Sequence, residues 1–191
     1  MIKTSMAAVI AAVTASVGTA ALAQVSPYAG QEQHDIKSLS PQEVTALLTG
    51  QGAGFAKAAE LNGYPGPAHV VELADQLTLS PDQLQKSRQL MDEHKERARR
   101  LGAEVVAAER ALDRLFGEQR AEAAAVASAA ERVGLLQARL RAEHLNTHLL
   151  QTAVLSTEQV RRYGELRGYA AEPAPGVATP KKDSSHHHKP H

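Results

Sequence analysis

Residues 79–116 read LSPDQLQKSRQLMDEHKERARRLGAEVVAAERALDRLF. After Pro81 there is no further proline, and only Gly102 breaks a run of helix-favouring residues. The apolar positions keep a seven-residue beat. Leu84, Met91, Ala98, Val105 and Leu112 hold one position of it, and Ser87, His94, Leu101, Ala108 and Leu115 the position three later. That spacing predicts a single long helix with a coiled-coil-like seam. At 1.5 Å per residue the helix spans about 55 Å, so its seam needs a partner along the whole length.

The partner follows directly. Gly117 to Ala121 reads as a short turn, and a second helix is predicted from about Glu122 to Val154. Two long helices joined by a short link form an antiparallel hairpin. The second helix carries two apolar stripes. Val133, Leu136, Leu140, Thr147 and Val154 lie on one side, with Leu135, Ala138, Ala142, Leu145 and Leu149 nearly opposite. One stripe can bury against the first helix. The other requires the short helices before residue 79, a second subunit or a client protein.

A six-residue phrase recurs at LSPQEV from Leu39, LSPDQL from Leu79 and LSTEQV from Leu155. Each is a helix start: Ser at the N-cap, Pro or Thr next, and Glu or Gln at the third helical position to close a capping box. Three helices are therefore expected to begin near residues 40, 80 and 156. Between the first two, Pro41 to Leu48, Gly54 to Leu61 and Ala68 to Leu77 read as short helices, with an elbow at Pro65-Gly66-Pro67. The expected class is all-α.

The ends have a different character. Lys3, the apolar stretch Ala7 to Val17 and the small-x-small pattern Ala21-Leu22-Ala23 mark a cleavable secretory signal at 1–23. The organisation expected behind it is an arm of short helices at 24–65, the hairpin at 66–169, and a disordered, Pro- and His-containing tail at 170–191. No run beyond the signal is long enough to span a bilayer. Lys plus Arg and Asp plus Glu are equal at 21 each, which argues against a nucleic-acid partner. With no cysteine and no tryptophan, neither disulfides nor thiolate sites are available, and the core must be aliphatic.

An exported helical hairpin with a capped Leu-Ser-x-x-Gln motif at each end resembles the Spy/CpxP family. That family carries the LTxxQ motif and includes zinc resistance-associated proteins and heavy-metal sensors. Leu79, Ser80 and Gln83, then Leu155, Ser156 and Gln159, match its two motif copies, with Ser in place of the commoner Thr. The likeness covers roughly residues 68–169, and the arm at 25–63 has no counterpart in it. What the resemblance implies is a cradle-shaped periplasmic homodimer. Such proteins shield unfolded or envelope proteins, restrain a membrane-bound stress sensor, or bind transition metals.

Histidines bear on the last of these. His144 and His148 are four apart, so on a helix they share a face, roughly 6 Å apart at Cβ. A zinc protease helix would carry Glu after the first His, and Leu145 stands there instead, so hydrolysis has no base. With the turn centred near residue 119, His94 is expected opposite His144, with Met91 near Thr147. His94, His144 and His148 would suit zinc, nickel, cobalt or copper. In metal-binding relatives an N-terminal His joins such a pair, which makes His69 a further candidate. The alternative is that these are ordinary imidazoles flanking the seam. Leu135, Leu145 and Leu149 are the candidates for a client-binding surface. The basic run KERARR at 95–100 reads as a solvated face or as a positive rim. No nucleophile-base arrangement or phosphate loop is evident, so the expectation is a binding protein, not an enzyme.

Overall fold

The computed structural model describes residues 25–169; the signal and the tail read from the sequence lie outside the described residues. Six α-helices and no strand are present among them. They are α1 (Pro41–Thr49), α2 (Lys57–Glu60), α3 (Pro67–Glu72), α4 (Pro81–Gly117), α5 (Ala123–Val154) and α6 (Thr157–Leu166). No helix among the described residues is long and apolar enough to cross a membrane.

All three copies of the repeated phrase start a helix as expected. Ser40, Ser80 and Ser156 are N-caps in extended conformation. Each accepts a hydrogen bond from the backbone N–H three residues on, and the Glu43, Gln83 or Gln159 side-chain oxygen accepts one from the cap's own backbone N–H. The helices α4 and α5 form the predicted antiparallel hairpin. Residue 87 meets 151, 94 meets 144 and 109 meets 137 across it.

The seam buries Ser87, Ala98, Val105 and Ala108 against Val133, Leu136, Leu140 and Thr147, one of the two predicted stripes of α5. Three further residues of α4 are also buried: Gly102, Val106 and Glu109. They belong to a second face of α4, covered by the arm. Ile36 and Leu47 sit in the same apolar cluster as Ala98, Val106 and Leu136, so arm and hairpin share one core. The opposite stripe of α5 stays largely open. A second, smaller cluster of Val70, Leu77 and Tyr163 ties α3 and α6 together at the base.

Two short helices differ from expectation. The helix α2 has only four residues, because Ala53 and Gly54 take positive φ and keep residues 53–56 in turns. The helix α3 stops at Glu72 instead of Leu77. The chain turns through 74–78, with Thr78 at φ 47°, so that Leu77 is buried and Ser80 can cap α4.

One glycine explains how closely the arm packs. A Cβ on Gly102 would lie 2.0 Å from the Leu47 carbonyl oxygen. The end of α1 therefore rests on α4 at backbone distance, which only a residue without a side chain permits.

Candidate functional site

A cleft of about 660 Å³ lies between the arm and the hairpin, walled by the Gly50–Gly54 loop, α2, the start of α3 and the middle of α4 and α5. His69, His94, His144 and His148, all four histidines singled out in the sequence, line it together with Met91, Thr147 and Glu60.

His94 and His144 meet as the turn centre predicts. His94 Nε2 and His144 Nδ1 are 3.1 Å apart. The neighbours assign the protons. Thr147 donates its hydroxyl hydrogen to the Glu143 carbonyl at 2.9 Å, so its oxygen accepts from His94 Nδ1 at 3.0 Å. Glu143 Oε1 lies 3.2 Å from the same nitrogen. With Nδ1 protonated, His94 Nε2 accepts from His144 Nδ1–H. His144 Nε2 is then left with a lone pair, buried and without a partner. Phe55 of the arm stacks on the His144 ring, centroids 5.5 Å apart.

Burial governs the acidity of this pair. It pushes the His144 imidazole down to about 4, helped by the neighbouring His94. Burial also lowers His94, although the hydrogen bond to Glu143 opposes it. Glu143 is pushed up by burial, but hydrogen bonds from Arg97 and His94 outweigh this and hold it below its usual value. Both imidazoles are therefore neutral near pH 7, the state that has lone pairs to offer.

His148 does not join them. Its Nδ1 donates to the Tyr64 carbonyl at 2.7 Å and stands 3.6 Å from Glu60 Oε2. The ring also packs on the bare backbone of Gly66, where a Cβ would come within 2.8 Å of it. His69 sits at the rim and pairs with Glu72 at 2.9 Å. Among the described residues no three His, Asp or Glu side chains stand in a group that could hold a metal ion. The residues predicted as ligands thus share a cleft but not a ready coordination sphere.

Glu60 escaped the sequence reading. Its Oε1 accepts from Tyr163 at 2.5 Å and Tyr169 at 3.1 Å, and Arg167 Nε lies 3.5 Å away. It fastens α2 to the C-terminal end of the described chain. Burial and the hydrogen bond to Glu60 both push the pKa of Tyr163 well above the ordinary phenol range, keeping the phenol protonated as donor. Nothing in the local sequence of Glu60 distinguishes it from any other helical acid.

The two motif glutamines do more than cap. Gln83 Nε2 donates to the Val154 carbonyl at 2.9 Å and to Gln159 Oε1 at 2.9 Å. Gln159 Nε2 donates to the Leu77 carbonyl at 3.2 Å and to Gln83 Oε1 at 3.0 Å. The two carboxamides bond reciprocally and close the open end of the hairpin.

Of the proposed client-contact leucines, Leu135 and Leu149 are exposed at 48% and 51%, and Leu150 joins them at 51%. Leu145 is half-buried.

No family model matches the chain, and no curated protein or solved structure matches it.

Proposed function

We propose that the chain is a periplasmic binding protein of the Spy/CpxP kind that holds partly unfolded envelope proteins on the open face of α5, without catalysis. The observation that carries this is the pair of faces on α5. One is buried in the hairpin, while Leu135, Leu149 and Leu150 remain in solvent on a helix whose fold does not use them. Apolar side chains left exposed along one helix offer surface to an interaction partner. The modest extent of that surface suits a client that must leave again. The two Leu-Ser-x-x-Gln motifs, the helical hairpin and the signal read from the sequence all support the likeness, and a homodimer is the natural assembly for such a hairpin.

The test is light scattering of an unfolding protein in the presence of the chain. Suppression at near-stoichiometric ratios is expected, and none at tenfold excess would remove the proposal.

A second function, transition-metal sensing or buffering, draws on four histidines around one cleft and on the unpaired lone pair of His144. His94, His144 and His148 would hold the ion, with His69 as a further ligand. Zinc, nickel, cobalt or copper suits such nitrogens. Because His148 is engaged by Tyr64, capture includes a movement of the arm. Calorimetry on a chain with the tail histidines changed to alanine tests it. Roughly micromolar binding, lost in His144→Ala, is expected; its absence leaves these residues structural.

A further inference from the structure

Two acceptor atoms at the cleft lack a donor. Glu60 of α2 and His144 of α5 both line it, and Glu60 Oε2 and His144 Nε2 are buried without a hydrogen-bond partner. Tyr163, Tyr169 and Arg167 all address the other carboxylate oxygen, Oε1. Oε2 has His148 Nδ1 at 3.6 Å, but that nitrogen already gives its hydrogen to the Tyr64 carbonyl. His144 gives its Nδ1 hydrogen to His94, so Nε2 is a bare lone pair on a ring stacked against Phe55. Leaving such groups unpaired is costly, and folded proteins contain few of them.

The surroundings define what would pair them. The cleft's volume of about 660 Å³ is that of a small-molecule site, and Ala53, Ala56, Leu61, Pro67 and Met91 give it apolar wall. Lys57 and Lys95 also line it, but both are exposed and keep their ammonium groups in water. As the side chains stand, no three ligands are grouped for a metal ion among the described residues, so the fitting occupant brings hydrogens of its own. The two acceptors ask for different donors. The carboxylate of Glu60 bonds a cation most strongly. The neutral imidazole of His144 takes a hydroxyl without any added charge.

We propose that the cleft binds a small apolar amine with a second donor at its far end. The ammonium group donates to Glu60 Oε2, a hydroxyl donates to His144 Nε2, and the body between them lies on the apolar wall. An arylalkylamine with a phenolic hydroxyl has this form. The site is separate from the exposed leucines of α5, so it stands or falls independently of client binding.

Calorimetry of the full chain with tyramine, in the presence of a chelator, tests this. A Kd of about 1 mM or tighter is expected. Phenethylamine, which lacks the hydroxyl, should bind about tenfold more weakly. 4-Hydroxyphenylacetate, which carries a carboxylate in place of the ammonium group, should not bind. His144→Phe keeps an aromatic ring beside Phe55 and removes the lone pair, so tyramine and phenethylamine should then bind equally. Ala68→Trp, at an exposed position lining the cleft, narrows the space and should weaken tyramine about tenfold with melting unchanged. Binding of tyramine weaker than about 1 mM overturns the proposal. Binding of 4-hydroxyphenylacetate as tight as that of tyramine does so too, as does a preference for tyramine over phenethylamine that survives His144→Phe. Should His144→Phe not fold, Ala68→Trp decides: an unchanged tyramine affinity puts the ligand outside the cleft and overturns the proposal.

Discussion

Gln83 and Gln159 each use both ends of one carboxamide. The oxygen closes a capping box, and the nitrogen reaches a carbonyl on another element. A glutamate can do the first and not the second, which is why Glu43 serves in the arm, where the side chain bonds only Ser40. Gln83→Glu is therefore expected to destabilise by about 1–3 kcal/mol, the cost of unpaired buried acceptors. Glu43→Gln should change little, and urea unfolding of both variants checks the contrast. Gly102→Ala carries a second prediction. Its methyl would overlap the Leu47 carbonyl, so either α1 lifts or α4 bends, at a cost of about 1–3 kcal/mol. Hydrogen exchange should place the loss in the amides of α1, and unchanged protection there would refute it. The repeated phrase made both caps readable from sequence. The lateral amide bonds were not, because they exist only once the hairpin brings residues 83 and 159 to the same end.

At the scale of the helices, the meeting of α4 and α5 stores a pH response. The His144 imidazole is depressed to about 4 by burial and His94 is lowered as well, so the unfolded chain binds more protons than the folded one between the His144 value and the ordinary histidine range. Stability from this pair is complete above about pH 6.5 and is lost as pH falls toward 4. The loss is up to about 3 kcal/mol for His144. Arg97, Glu143 and His148 are the charged or titratable neighbours that tune it. His144→Phe should flatten the stability profile over that interval, as followed by thermal melting at fixed ionic strength; an unaltered slope would place the titration elsewhere. The register that joins His94 to His144 was legible in the sequence, since a short turn near residue 119 fixes it. The diversion of His148 was not. It depends on the Tyr64 carbonyl and on Gly66, which reach α5 only because the arm folds back, and apolar periodicity does not encode that return.

For the molecule as a whole, the residues that hold the fold and the exposed leucines of α5 lie on different surfaces. The core is a thin aliphatic layer between α4 and α5, thickened on one side by the arm. Its members are Val, Leu, Ile and Ala, with Phe55 at the edge. Sequence composition had pointed to such a core, and the heptad beat located the seam. What it left open was which of three partners would cover the remaining apolar positions. The arm covers the second face of α4 and touches α5 at His144 and His148, but it leaves Leu135, Leu149 and Leu150 about half exposed, so these three add little to folding. Replacing all three with serine should then leave the unfolding free energy within about 0.5 kcal/mol per site, the range of ordinary surface changes. The same replacement removes the apolar area on which a second copy or a client would rest, worth about 25 cal/mol for each Å² withdrawn from water. Sedimentation of the triple variant should therefore show a lighter species at equal concentration, and light scattering should show loss of client protection. A variant that melts normally yet keeps both its mass and its protection would move the binding surface off α5.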